Sequence, residues 1–292
     1  GRGVAQHVRT AMADLPTGAQ PAFIGTFHQL GYRWGVVPPE APDQEFWERQ
    51  NTDLTRAAAE RLPDPERFTA FVVDEAQDFA DDWWPALLAA AGTADYRLAV
   101  FRDDEQAVFS QRRGRPDVDL PAPFVLTENL RNSTQIVHTF SPLITAEVTP
   151  RAGDAHPVEF VACPADGVEA AADAAVDRLL ERNGWRPEDI VLLTTQHRHP
   201  VQQETAHDKA AYWDAFWHDD DVFYSTVAGF KGLERPVVVL AVDGFHAGID
   251  PRSVMYAGMS RARDLLVVVG EPTSVGAAVG DKAMRRLERG RI

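Results

Sequence analysis

The feature that most constrains the fold of this chain is a series of short apolar runs. Many of them are β-branched, and turn-forming residues bound them. Such runs are typical of strands buried on both faces. They occupy Phe68–Val73, Leu98–Phe101, Phe124–Leu126, Val158–Val161, Ile190–Leu193, Val222–Tyr224, Val237–Val242 and Leu265–Val269. Helical patterns lie between them, the clearest at Asp166–Gly184, where apolar residues recur at spacings of three and four and Asn-Gly ends the pattern. Alternating strands and helices predict an α/β fold with a mainly parallel sheet.

The length of 292 residues suggests one large or two medium domains. The segment Ser110–Pro123 interrupts the pattern with glycine, prolines and charged residues, which favours a linker. We therefore predict a first domain over residues 1–112, a linker over 113–122 and a second domain over 123–292. Within the first domain, the proline-containing stretch at about residues 35–65 is predicted to be a small helical insertion.

Composition excludes several classes of protein. The net charge of −15 argues against general nucleic-acid affinity, although a local basic groove is still compatible with it. The single cysteine, Cys163, cannot form an internal disulfide and fits a reducing compartment. No apolar run approaches the roughly 18 residues of a membrane helix, and the opening residues do not resemble a signal peptide. These features predict a cytoplasmic protein without a membrane partner.

The stretch DEAQD at Asp74–Asp78 follows a predicted buried strand. An adjacent carboxylate pair in that position can hold Mg²⁺ through Asp74 while Glu75 orients and deprotonates a water molecule. The alternative is an acidic turn between a strand and a helix, in which Asp78 or Asp81 helps to cap the helix. The motif alone leaves both interpretations open.

Five further segments accompany DEAQD in a fixed order. They are TFHQL (Thr26–Leu30), DDEQAVF (Asp103–Phe109), LTENLRNS (Leu126–Ser133), STVAGFKGLE (Ser225–Glu234) and YAGMSRAR (Tyr256–Arg263). In order and kind the six segments resemble the motor of superfamily 1 DNA helicases of the UvrD/Rep/PcrA type, in a compact form. The resemblance spans about residues 20 to 270. It implies two RecA-like lobes with mainly parallel sheets, the first of them incomplete, and ATP with Mg²⁺ as cofactors.

The resemblance also implies a role for each matching residue. Asp74 would hold Mg²⁺ through water, Glu75 would activate the attacking water, and Gln106 would couple the γ-phosphate to movement. Arg131 and Arg261 would act as arginine fingers on the phosphates. The remaining nucleotide contacts would come from Lys231, Gly232 and, at the ribose, Glu234. Single-stranded or partly duplex DNA would lie along Thr26, His28 and Thr226. Arg112 is a further candidate DNA contact, which comes from the basic residues near the predicted linker and not from the resemblance.

Several of these residues have ordinary structural alternatives. Arg261 and Arg263, which we predict on a helix that leads into a strand, are equally compatible with solvated helix positions. Lys231 and Gly232 are compatible with a simple turn, and His28 with a packing residue. Arg112 belongs to a cluster that either contacts phosphate or merely solubilises the linker.

The sequence departs from the family in one decisive feature. A phosphate-binding loop requires GxxxxGK followed by Ser or Thr, and none of the three lysines, Lys209, Lys231 and Lys282, is followed by either residue. We therefore expect that the chain begins inside the first lobe of a longer motor, and that ATP is hydrolysed between the lobes only in the intact enzyme. This chain alone should hydrolyse ATP negligibly. Two alternatives are a non-catalytic helicase-like scaffold that binds protein or DNA, and the helicase part of a nuclease–helicase fusion.

Overall fold

A computed structural model describes residues 2–40, 42–43, 45–107, 114, 116–218 and 220–292. The chain divides into two units, which we call the first unit, residues 4–123, and the second unit, residues 124–292. Their boundary lies close to the end of the linker predicted at residues 113–122. No described helix combines the length and apolar character needed to cross a membrane.

The first unit contains short helices and one small sheet. Its helices are α1 (Arg2–Met12), α2 (Phe27–Arg33), α3 (Asn51–Glu60) and α4 (Trp83–Leu88), and a π-helical segment at Phe46–Gln50 leads directly into α3. Its strands are β1 (Ala70–Val73) and β2 (Arg97–Val100), and short 3-10 turns occur at Thr17–Ala19, Asp64–Glu66, Ala76–Asp78 and Asp104–Gln106. The region predicted as a helical insertion, residues 35–65, holds the π-helical segment and α3.

The sheet of the first unit is covered on one face. Strands β1 and β2 pair in parallel, with Phe71 opposite Leu98. Side chains alternate across a strand, so Phe71 and Val73 point into a core with Leu30 and Trp84. Val72, on the other face, is 73% exposed. One face of this sheet therefore carries the apolar packing of the unit.

The second unit is larger and contains most of the strands. Its strands are β3 (Glu128–Asn129), β4 (Thr149–Pro150), β5 (Glu159–Ala162), β6 (Ile190–Thr194), β7 (Phe223–Thr226), β8 (Arg235–Val242) and β9 (Ala262–Gly270). Its helices are α5 (Thr134–Phe140), α6 (Val168–Glu181), α7 (Pro200–Thr205), α8 (Lys209–His218), α9 (Pro251–Met259) and α10 (Pro272–Arg289). Further 3-10 turns lie at Ser141–Leu143, Ala165–Gly167 and Pro187–Asp189.

Five strands of the second unit form one parallel sheet in the order β5-β9-β8-β6-β7. Helix α6 packs over one face, where its Leu179 joins Leu192 and Val239 in the core. On the other face α9 approaches so closely that a Cβ at Gly258 would lie 2.8 Å from Leu240 Cδ1. The structure thus confirms an α/β fold with a parallel sheet buried on both faces.

Two details of the sequence analysis were wrong. Phe124–Leu126 is not a strand, because parallel pairing in this region begins only at the carbonyl of Thr127, which accepts from the amide of Thr149 (2.9 Å). Arg261 and Arg263 are not helical. Helix α9 ends at Met259, and β9 begins at Ala262 because that residue pairs with the first residue of β8. Arg261 lies in the turn between them and Arg263 lies in the strand.

Candidate functional site

The acidic turn of the first unit follows the carboxyl end of β1. Glu75 adopts a left-handed backbone conformation with φ 53°, which is uncommon for a residue with a side chain and is often found at functional sites. Its amide donates to Asp74 Oδ1 at 2.9 Å. Burial, and then repulsion from Glu75, raise the pKa of Asp74 above its ordinary value. Among the described residues, no Lys, Arg or His side chain lies within ion-pairing distance of either carboxylate. Within the described part of the chain, Asp74 and Glu75 therefore lack an ion-pair partner.

A chain of hydrogen bonds joins this turn to the turn after β2. Gln77 Nε2 donates to Glu75 Oε2 (2.5 Å), and Gln77 Oε1 accepts from the amide of Asp103 (3.0 Å). Asp103 Oδ2 in turn accepts from Gln106 Nε2 (2.7 Å). Gln77 and Gln106 are 1% and 6% exposed, so the connection is buried. The structure thus brings Glu75 and Gln106, which the sequence singled out, into one network.

A glycine packs against the same turn. Gly114 has φ +62°, and a Cβ there would lie 2.1 Å from the carbonyl oxygen of Ala76. Only glycine permits so close an approach. Arg112, which was predicted as a DNA contact, lies outside the described residues.

The two predicted DNA contacts at α2 have local structural partners. Thr26 caps α2, with its Oγ1 accepting from the amide of Gln29 (3.3 Å) while Gln29 Oε1 accepts from the amide of Thr26 (2.9 Å). This reciprocal arrangement is a capping box. His28 Nδ1 lies 2.5 Å from Asn51 Nδ2, and its ring contacts Trp83 edge-on at 5.1 Å between centroids. Both side chains lie in a half-buried patch of α2.

In the second unit, arginines gather around Glu234. Arg131 Nε lies 2.5 Å from Glu234 Oε2, and Arg263 Nη1 lies 3.8 Å from Glu234 Oε1. These side chains are between 38% and 44% exposed. One carboxylate is thus shared by two guanidinium groups, and the cluster carries excess positive charge in a chain of net charge −15.

Asn132 fastens the segment of Arg131 to the end of α9. Its Nδ2 donates to the carbonyls of Ser260 (2.9 Å) and Ala262 (2.6 Å), the two neighbours of Arg261. Asn132 is 1% exposed, so both bonds are shielded from water. Two motifs that are far apart in sequence are therefore held side by side.

Arg261 itself is buried. It is 1% exposed, and its guanidinium donates to the carbonyls of Ala257 (2.9 Å) and Leu233 (3.3 Å) and to Ser260 Oγ (2.9 Å). In this conformation Arg261 supports the loop that precedes Glu234. Contact with a phosphate would require part of this network to open.

The other residues of the STVAGFKGLE segment form a tight turn between β7 and β8. Thr226 Oγ1 accepts from the amide of Gly229 (3.1 Å). Gly232 has φ +78°, in the left-handed region, and Lys231 is 6% exposed. Lys231 and Gly232, which were predicted to contact the nucleotide, thus lie in the turn that precedes Glu234. Thr226 is the last residue of β7.

Four polar residues of these two sites were not predicted as functional from the sequence: Gln77, Asp103, Asn132 and Arg235. Arg235, the first residue of β8, lies over the Phe216 ring at 3.9 Å from its centroid. Burial, with a smaller contribution from neighbouring Arg263, lowers the pKa of Arg235. Their position in the sequence could have identified them, since each of the four lies inside or directly beside a motif.

The donor groups are compatible with the implied cofactors in part. A carboxylate oxygen whose protonation is favoured by burial and by a second acid suits a hard cation such as Mg²⁺. Within the described ranges, no group of three or more His, Cys, Asp or Glu side chains could hold a metal ion. Mg²⁺ would therefore need ligands from water and nucleotide in addition to Asp74. The guanidinium groups of Arg131 and Arg263 match phosphate oxygens.

Comparison with known proteins supplies no assignment. No protein-family description matches this sequence, and no curated protein matches it significantly.

Proposed function

We propose that this chain is the C-terminal motor portion of an ATP-dependent DNA helicase or single-stranded DNA translocase. The supporting observation is that the motif segments meet in pairs within each unit. Asp103, in the segment of Gln106, bonds to Gln77 of DEAQD, and Glu234 pairs with Arg131. Segments that match a motor in sequence order thus also meet in space within each unit, as the parts of a functional site would.

In this proposal the first unit prepares the attacking water. Mg²⁺, when bound, supplies positive charge that stabilises the phosphates during transfer. Asp74 would hold the metal through water, and the adjacent Glu75 would accept the proton of the attacking water. Gln77 holds the Glu75 carboxylate in position and connects it to Gln106 through Asp103. A shift of Gln106 would thereby change the orientation of the base.

The second unit supplies positive charge. Arg131 and Arg263 are half-exposed and share Glu234, so either guanidinium can exchange that carboxylate for a phosphate oxygen. Arg261 is tied to backbone carbonyls and holds the turn before Glu234. Its proposed finger role therefore depends on release from Leu233.

The test is the DNA-stimulated ATPase activity of the complete gene product, with Glu75→Gln as the matched variant. Loss of the base should lower kcat by about a hundredfold or more, in line with the usual contribution of general-base catalysis, while nucleotide affinity is retained. The present chain serves as the second control and should show negligible turnover.

A complete gene product that has no ATPase activity, or whose activity is insensitive to Glu75→Gln, would contradict the proposal. The first of these results would favour a non-catalytic scaffold. DNA-stimulated turnover by the present chain, lost in Glu75→Gln, would instead show that no further segment is needed.

A further inference from the structure

A cavity of about 470 Å³ lies in the second unit. Its walls come from three elements: α5, the residues that precede β5, and the end of α10. The lining residues are Gln135, His138, Thr139, Pro157, Val158, Arg286, Arg289 and Gly290. This volume is within the range of small-molecule sites, about 300–1,000 Å³.

The lining combines apolar surface with cationic side chains. Val158 is buried in the wall, whereas Arg289 and His138 are exposed at it. Among the described lining residues there is no aspartate or glutamate. Among the described residues, no carboxylate lies within ion-pairing distance of Arg286 or Arg289. Guanidinium groups without a described carboxylate partner are notable in a chain of net charge −15, because acids are abundant enough to pair with them.

The cavity is held in shape by specific contacts. Arg286 Nη1 donates to Ser141 Oγ (3.0 Å), which fixes a half-buried guanidinium in the wall. The carbonyl of Gly290 accepts from the amide of Phe160 (2.9 Å), and the amide of Ile292 donates to the carbonyl of Phe160 (3.1 Å). A Cβ at Gly290 would lie 1.9 Å from the carbonyl oxygen of Val158, so only glycine fits there. The end of α10 is thereby attached to the edge strand β5.

The direction of α10 also contributes. Gly280 interrupts the helix with φ 75° and ψ 166°, and the second half, which carries Arg286 and Arg289, follows this kink. The chain therefore bends α10 at one defined residue before it reaches the cavity.

We propose that this cavity binds a small organic anion, with a phosphate or carboxylate head on the arginines and an apolar body against Val158. The forked guanidinium groups match either head group. This site is separate from the cluster around Glu234 and does not depend on the proposed motor function. A purely structural role for these arginines is the alternative, since basic residues stabilise the C-terminal end of a helix.

The experiment measures binding of phenyl phosphate to the chain by calorimetry, with inorganic phosphate and benzoate as comparison probes. Arg289→Gln removes one cationic side chain from the cavity wall. Arg285→Gln removes the same charge from the same helix at a position outside the lining. We expect saturable binding that Arg289→Gln weakens by about tenfold or more, as for a lost charged hydrogen bond. Arg285→Gln should leave it nearly unchanged. The side-chain NMR signals of His138 should shift on binding.

The other probes define the ligand. Preference for phenyl phosphate over inorganic phosphate supports the apolar wall, and the stronger of phenyl phosphate and benzoate identifies the head group. Three results would overturn the proposal: no saturable binding, equal weakening by Arg285→Gln and Arg289→Gln, or weakening by Arg131→Gln instead. Thermal unfolding of each variant confirms that it is folded, and His138→Ala provides an independent change in the wall.

Discussion

The two units contain parallel sheets of the same type but cover them differently. In the second unit, the central strands are buried on both faces, and Leu192, Val239 and Val267 are fully inaccessible. In the first unit, Val72 and Phe101 are 73% and 58% exposed on one side of β1 and the segment after β2. Parallel sheets are normally covered on both faces, and isolated two-stranded sheets are marginal. The second unit is thus stabilised through its sheet, and the first through a one-sided apolar cluster.

The candidate sites of the two units carry opposite charge. Among the described residues, Asp74 and Glu75 of the first unit have no basic ion-pair partner, whereas Arg131 and Arg263 of the second unit share Glu234. Each arrangement is electrostatically incomplete within its own unit. A divalent cation would complement the acids of the first unit, and phosphate oxygens would complement the arginines of the second.

The largest expected effect tests the difference between the sheets. Val239→Ala should destabilise the second unit by about 2 kcal/mol, because it removes buried methyl groups and leaves a cavity. Val72→Ala makes the same chemical change on the open face and should alter the stability of the first unit by about 0.5 kcal/mol or less. Urea unfolding followed by hydrogen exchange resolves the two units. Equal losses would show that Val72 is covered in solution.

The sequence predicted the parts of the fold that depend on local pattern. The run Val237–Val242 is long, β-branched and bounded by turn residues, so the position of β8 was predictable. The run Phe124–Leu126 looks similar locally but is 90% exposed at Phe124, since none of the described strands pairs with it. Strand formation there depended on a partner, which local pattern does not encode.

The sites were predictable as residue sets but not as contacts. Nothing in the sequence indicates that Glu234 pairs with Arg131, because the two lie in motifs separated by most of the second unit. Burial of Arg261 was equally hidden, since its partners include the backbone carbonyls of Ala257 and Leu233. Backbone acceptors leave no signature in composition.

The next prediction concerns the shared acid of the second unit. Glu234→Gln should strengthen pyrophosphate binding several-fold, because it releases Arg131 and Arg263 from the carboxylate with which both pair. Stability should change little, since half-exposed ion pairs contribute about 0–1 kcal/mol. Calorimetry with pyrophosphate and with ADP distinguishes the electrostatic effect of Glu234 on the arginines from a contact of Glu234 with the ribose. If Glu234 also contacts ribose, ADP binding should gain less than pyrophosphate binding, and weaker pyrophosphate binding would contradict the electrostatic account.

A smaller effect is expected at the acidic turn of the first unit. The raised pKa of Asp74 means that its ionised form is disfavoured in the folded state, so ionisation costs stability as pH rises through the folded pKa. Asp74→Asn keeps the Oδ1 acceptor for the amide of Glu75 and removes the charge. The variant should therefore raise the thermal midpoint of the first unit at pH 7, and the gain should disappear below the ordinary pKa of 3.8. A lower midpoint at pH 7 would show that another group compensates the charge.

The smallest effect is expected at Glu271 in the second unit, where the pKa is shifted in the opposite direction to that of Asp74. Glu271 caps α10 by accepting from the amides of Thr273 (3.0 Å) and Ser274 (2.7 Å), and these hydrogen bonds lower its pKa to about 2. The stabilisation is complete above the ordinary value of 4.5 and is lost as pH falls through about 2. Glu271→Gln should lower the thermal midpoint of the second unit at pH 7, and the difference from the unmodified chain should shrink through that window. At lower pH, the thermal midpoint of Glu271→Gln should therefore rise toward that of the unmodified chain, and the midpoint of Asp74→Asn should fall toward it. A deficit that is constant from pH 7 to 2 would show that the cap does not depend on the charge of Glu271.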